Sequence, residues 1–170
     1  MLSPLSDYLG IIMKLSTKGR YAVTALMDIA IHDKLGPVTL ADISKCQGIS
    51  LSYLEQLFAK LRKKGLVEGV RGPGGGYRLA RAAAKITVAD IVSAVDEKVD
   101  ATRCSGRQDC LDGRRCLTHE LWTDLSQQIF TFLQGISLAQ FVDRPKVREV
   151  VKRQDRLHGR SHAIRKTVAA

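Results

Sequence analysis

The 170-residue sequence predicts a mainly α fold with a small β-hairpin wing, a winged helix-turn-helix followed by one long helix. Three observations predict it. Three helical apolar patterns succeed one another between Ser16 and Gly65. Two short apolar runs then flank the loop Gly72-Pro73-Gly74-Gly75-Gly76, as paired strands flank a turn. Further on, Trp122, Leu125, Ile129, Phe132, Leu133 and Ile136 keep the three- and four-residue spacing of an amphipathic helix.

From Ser16 to Lys34, Ala22, Ala25, Leu26, Ile29 and Ala30 fall on one helical face, and Gly36-Pro37 ends the pattern. Thr39 with Asp42 three residues later resembles a capping box, so Leu40 to Cys46 reads as a second, short helix closed by Gly48. Ser50 or Ser52 caps the third helix, Leu54, Leu57, Phe58 and Leu61 form its buried stripe, and Gly65 stops it. Leu66 to Arg71 and Tyr77 to Ala80 are the strands. Thr87 with Asp90 opens a fourth helix ending near Val99, and residues 100–117 carry no period and read as a loop. Ser137 caps a final turn through Phe141, and Pro145 begins a basic tail. No internal repeat is evident.

A chain of this length holds one functional unit, and no stretch approaches the roughly 20 apolar residues that span a bilayer. Met1 to Ile12 lacks the basic start of a secretory signal, so the expected location is cytoplasmic and no membrane partner is expected. The net charge of +10 points to a polyanion. Residues 14–81 hold 12 Lys/Arg against 5 acids, residues 82–142 hold 6 against 8, and residues 143–170 hold 9 against 3. The last segment alone reads as a solvated, disordered arm. The basic first half needs another explanation.

A helix entering the major groove reads bases with short polar side chains near its N-terminus. Ser50, Ser52, Tyr53 and Gln56 are such residues, with Lys60, Arg62, Lys63 and Lys64 behind them. The plainer alternatives are that the serines only cap, Tyr53 packs, and the basic run serves the helix dipole. Glu55 is either the acid of a capping box with Ser52, or a specificity element accepting from a cytosine amine and rejecting sequences that bring thymine or phosphate close. The glycine-rich segment lacks the following helix and Lys-Ser/Thr pair of a nucleotide loop. In a wing, its glycines allow close approach to the minor groove, with Arg71 at the base placed to enter it; the alternative is a plain hairpin loop.

Cys104, Cys110, Cys116 and His119 follow the pattern C-x5-C-x5-C-x2-H. Three thiolates and an imidazole make a complete ligand set for zinc or for an iron-sulfur cluster, and redox thiols are a further alternative. Structural zinc sites gather ligands in pairs on tight knuckles, whereas the first three ligands here are evenly and widely spaced, which favours the cluster. Ser105, Gly106, Asp109, Asp112 and Gly113 give the loop little apolar content, so metal occupancy should order it. Cys46 lies in the second helix and is expected to be a small packed residue.

The runs Ser16-Thr17-Lys18-Gly19-Arg20-Tyr21-Ala22, Gly48-Ile49-Ser50-Leu51-Ser52-Tyr53-Leu54-Glu55-Gln56 and Arg71-Gly72-Pro73-Gly74-Gly75-Gly76-Tyr77, with the cysteine loop and Glu120-Leu121-Trp122, closely resemble the winged-helix iron-sulfur transcription regulators that control cluster assembly. The resemblance spans about residues 13–142. It implies a homodimer, a long dimerisation helix crossing to the second copy, and a 2Fe-2S cluster on Cys104, Cys110, Cys116 and His119 in each subunit. It also implies two kinds of operator, one bound with the cluster and one without it. By position, Ser50, Ser52, Tyr53 and Gln56 would read the major groove, Arg71 the minor groove, and Glu55 would discriminate between the operators. The implied partners are double-stranded operator DNA, a second copy, the iron-sulfur assembly machinery as cluster donor, and RNA polymerase.

The resulting map has an N-terminal extension at 1–12, expected to be disordered, and a DNA-binding domain at 13–81. A connecting helix follows at 82–99, the cluster loop at 100–119, the dimerisation helix and final turn at 118–142, and a disordered basic tail at 143–170. Residues 1–12 and the tail depart from the shared pattern, and the tail would add salt-sensitive DNA affinity. The switch expected is that occupancy orders residues 100–119, shifts the third helix and relieves the penalty of Glu55. The rivals are a zinc-stabilised or thiol-sensing winged-helix repressor and an iron-sulfur carrier containing a helix-turn-helix. No acid-base pair in the loop suggests an enzyme.

Overall fold

The computed structural model describes residues 16–95 and 99–159. Its first half is three helices and a hairpin. Helix α1 (Thr17–His32) is capped by Ser16, whose hydroxyl accepts from the Lys18 amide at 3.1 Å, and a 3-10 turn at Asp33–Leu35 follows it. Helix α2 (Leu40–Gln47) is capped by Thr39 and ends at Gly48, whose left-handed φ of 65° lets its N–H reach the Ser44 carbonyl at 2.9 Å. Helix α3 (Leu51–Lys63) follows α2 after three intervening residues, the last of which, Ser50, is its cap. That short left-handed connection sets α3 across α2 in the helix-turn-helix manner.

Strands β1 (Val67–Val70) and β2 (Gly76–Leu79) pair antiparallel, from Val67 opposite Leu79 to Val70 opposite Gly76. The hairpin is moored to the segment before α2 by two hydrogen bonds between Val38 and Tyr77, at 2.9 and 2.8 Å. A Cβ on Gly75 would collide with the Val70 carbonyl, and one on Gly76 would lie 2.6 Å from the Val38 carbonyl oxygen. Both are required by packing within the protein, whatever the wing touches.

Helix α4 (Val88–Ala94) has the full capping box, Thr87 accepting from the Asp90 amide at 3.1 Å and Asp90 accepting from the Thr87 amide at 2.9 Å. It ends at Ala94, short of the expected Val99; residues 96–98 lie outside the described residues. One core joins these elements. Leu26 and Ile29 of α1, Ile43 of α2, Leu54, Phe58 and Leu61 of α3, and Ile86 and Ile91 around α4 are all fully buried. Packing of α4 against both α1 and α3 carries this core from the helix-turn-helix to the second half.

The second half consists of α5 (His119–Gln134), α6 (Leu138–Val142) and α7 (Pro145–His158). Helix α5 packs on α4, and its junction with α6 is tied back by Val88 N–H to the Ile136 carbonyl (2.9 Å) and Leu138 N–H to the Ile86 carbonyl (2.8 Å). Of its own residues only His119 is buried; Leu121, Trp122 and Phe132 are exposed.

The expectation of a disordered tail from residue 143 is not met over Pro145–His158. Proline fits the first turn of α7, and Val147, Val151 and Asp155 repeat every four residues on its inner side. Asp155 is buried 3.3 Å from His32 Nε2, while the His32 Nδ1 edge lies 3.0 Å from Asp28; Gln154 and Gln47 bond through their carboxamides. A basic count conceals this because the inward stripe ends in an acid whose partner is a histidine 123 positions away. Helix α7 and α1 border a cavity of about 340 Å³, whose lining includes Cys46, half-buried instead of fully packed. Residues 1–12 and 160–170 lie outside the described residues. Among the described residues no helix is long and apolar enough to cross a membrane.

Candidate functional site

Residues 99–118 form the irregular connection expected, and polar contacts shape it. Asp100 accepts from the Thr102 amide (2.7 Å) and hydroxyl (2.6 Å), the Thr102 oxygen accepts from the Gly106 amide (2.8 Å), and the Ala101 amide donates to Ser126 of α5 at 2.8 Å. Ser105, Gln108 and Asp112 take left-handed φ values of 53°, 67° and 47°, which non-glycine residues adopt only at a cost. Leu111 and Leu117 point outward, so apolar burial contributes little here.

This path brings three ligating atoms together. His119 opens α5, and its amide bonds the Cys116 carbonyl at 3.2 Å, so the loop delivers the ring to the helix end. His119 Nδ1 lies 3.6 Å from Cys104 Sγ and 3.4 Å from Cys110 Sγ, and ligand atoms of all three residues sit within 4.8 Å of one another. Cys104 and His119 are buried, 3% and 5% exposed. Cys116 is outside this trio, half-buried, yet its amide donates to Cys110 Sγ at 3.3 Å.

Two of the three thiols, Cys104 and Cys116, are biased toward ligation. Burial pushes the Cys104 thiol up, but hydrogen bonding with the Thr102 hydroxyl, the Gln108 and Gly106 backbone and Cys110 outweighs it and sets its pKa at about 6. The Cys116 amide pulls Cys110 down, yet burial and the adjoining Cys116 and Cys104 sulfurs carry it upward overall. Cys116 is lowered by hydrogen bonding with Cys110 and the Thr118 backbone. Metal binds the thiolate form, so a metal entering the site would displace the thiol protons. Sulfur and imidazole donors of this kind fit zinc or an iron-sulfur group.

The second candidate surface is α3. Ser50 is its N-cap, accepting from the Tyr53 amide at 3.3 Å. With Ser50 as cap, a capping box would place its acid at position 53, so Glu55 has no capping role. Ser52, Glu55 and Gln56 are exposed, and their spacing of three and four puts them on one face, opposite Leu54, Leu57, Phe58 and Leu61. Tyr53 is half-buried, its ring edge-on to Tyr21 at 5.9 Å between centroids, so packing claims much of it. Arg71 is exposed immediately after β1, at the base of the wing. Sequence reasoning passed over Thr102 and Asp100, although Asp-x-Thr is a side-chain-capped turn signal, and over Asp28 and His32, spaced i,i+4 on the inner face of α1.

The winged arrangement of α1 to β2 and the cysteine-histidine trio set the terms of comparison with known proteins. Residues 15–144 match the Rrf2 family, described as iron-dependent transcriptional regulators. The chain belongs to the Rrf2 family. It is similar to the HTH-type transcriptional regulator IscR of Xenorhabdus nematophila, 62% identical over 143 residues that cover 84% of this chain and 87% of that protein. The IscR of Photorhabdus laumondii subsp. laumondii matches to the same extent. Among solved structures, IscR of T. potens shares 40% identity at a TM-score of 0.64, covering 76% of this chain and 85% of that one. CymR, the global cysteine regulator of B. subtilis, shares 30% at a TM-score of 0.66, covering 77% and 97%. Rrf2 members are transcriptional regulators and not enzymes, and this chain is a regulator of that winged-helix kind. Helix α7 begins at Pro145, just beyond the residues matched by the family.

Proposed function

We propose that this regulator senses an iron-sulfur cluster, binds operator DNA as a homodimer and controls cluster-assembly genes. The observation that carries the reading is the convergence of Cys104, Cys110 and His119, two of them buried, in a loop with little apolar packing of its own. Cys116, held against Cys110, completes the set of four. A 2Fe-2S group bound there would supply an oxidation- and supply-sensitive cross-link between loop and helix. His119 heads α5, α5 packs on α4, and α4 packs on α1 and α3. A change in the loop therefore has a continuous packed route to the recognition helix. The exposed Leu121, Trp122 and Phe132 of α5 support its role as the dimer contact, because an apolar patch of this kind marks an association surface. The assembly machinery is the source of the cluster, and RNA polymerase is the downstream partner.

On the DNA side, Ser50, Ser52, Tyr53 and Gln56 read the major groove and Arg71 the minor groove. Glu55 stands on the reading face without a capping duty, which supports its role in telling cluster-dependent operators from cluster-independent ones. Glu55→Ala should let cluster-free protein bind the cluster-dependent class; anisotropy titrations in which it gains nothing would remove that role. Arg71→Ala should weaken both classes roughly tenfold, the scale of one lost groove contact. Unchanged affinity for both would place Arg71 off the DNA. The reading as a whole is tested by comparing operator affinities with and without the cluster at fixed salt. Equal affinities for every operator would leave a DNA-binding protein without a sensor.

A further inference from the structure

The two edges of the His119 ring face different chemistry. Nδ1 is turned to the sulfurs, 3.4 Å from Cys110 and 3.6 Å from Cys104. Nε2 is turned to the Thr123 hydroxyl, 3.4 Å away and one helical turn along α5. That hydroxyl already has a use for its only hydrogen, because it donates to the His119 carbonyl oxygen at 2.9 Å. Toward the ring it therefore presents lone pairs, and a lone pair is satisfied only by an N–H on Nε2. A neutral imidazole carries one proton, so placing it on Nε2 leaves Nδ1 bare and aimed at the thiols.

We propose that Thr123 is the positioning residue of the metal site: it holds His119 in the Nε2–H tautomer, so that Nδ1 is the ligating nitrogen. This rests on the metal-site reading above and assigns the site an outer partner of the kind that fixes ring orientation and ligand basicity. The placement depends on α5 beginning at His119 itself. Only then does the residue four positions on stand over the ring, with its hydroxyl bent back to the helix backbone by the bond a threonine makes to the preceding turn. Thr123 is exposed, and valine matches its shape, so Thr123→Val removes the acceptor while leaving the core of the protein untouched.

The test uses the full chain and Co²⁺ as probe, since its visible bands report sulfur and nitrogen ligation whichever metal the site holds in the cell. Wild-type protein should bind Co²⁺ with thiolate-to-metal bands, Thr123→Val should bind it about 10- to 100-fold more weakly, and Thr123→Ser should restore the affinity. In metal-free protein, nitrogen NMR of His119 should show the Nε2–H form in wild type and in Thr123→Ser, and a mixture of tautomers in Thr123→Val. A purely structural threonine would leave that ratio unmoved. Equal Co²⁺ affinity in wild type and Thr123→Val, or an Nδ1–H tautomer in wild type, overturns the assignment while the metal site stands. Failure of the wild-type chain to bind Co²⁺ at all removes the site and the assignment with it.

Discussion

Cys104→Ser protein is expected to lose the metal group completely while keeping its fold and its cluster-independent DNA binding. Serine is close in size, but its hydroxyl stays protonated at neutral pH and offers a hard oxygen where a soft thiolate is wanted. Cys104 is also the thiol that its surroundings lower furthest, to about 6 despite its burial. Its loss thus removes the most prepared ligand and the one most enclosed. The winged-helix core does not depend on it, since that core is built from α1 to α4 and the hairpin. Absorption spectra, metal analysis and operator binding of the purified variant check all three parts. Cys46→Ser is the control: Cys46 lines the cavity beside α7, away from the loop, and its replacement should leave the metal content unchanged. A Cys104→Ser protein with full metal content would show that the loop ligates through other residues.

Phe58→Ala should produce the largest loss of stability, about 3–5 kcal/mol. Phe58 is fully buried in α3, and its ring meets Tyr77 of β2 edge-on with centroids 4.8 Å apart. The same side chain therefore anchors both α3 and the wing, the two elements proposed to read DNA. Against a typical net stability of about 5–15 kcal/mol, the loss is large enough to unfold a substantial fraction of the protein at growth temperature. Urea unfolding of wild type and variant at matched protein concentration measures it, because the apparent stability of the proposed dimer would depend on concentration. A change under about 1 kcal/mol would mean that Phe58 is not the joint between helix and wing.

Periodicity made α1 to α3 and the wing legible, because each has a local signal: Ser16, Thr39 and Ser50 as caps, Gly48 as a left-handed stop, and an apolar stripe facing one core. The candidate metal ligands stand out for another reason, since Cys104, Cys110, Cys116 and His119 are close in sequence and their residue types have few other uses together; the fold gathers Cys104, Cys110 and His119 and leaves Cys116 beside them. What escaped depends on contacts made at a distance. Helix α7 looks like a basic tail in the sequence because its inward side carries Asp155, and only the fold supplies His32 to receive it. Choosing between Ser50 and Ser52 as the cap needed the actual helix start, and that choice decided whether Glu55 had a capping duty. The role of Thr123 has no signal in the sequence, because it depends on which edge of the His119 ring faces the sulfurs and which faces the hydroxyl.

The most direct test of the central claim is an anaerobic visible spectrum of the purified full chain with iron and sulfide assays. A red-brown protein holding about two iron and two sulfide per subunit is the result expected of a 2Fe-2S sensor. A protein that remains colourless after anaerobic reconstitution, and holds zinc or no metal on the same cysteines, would contradict it.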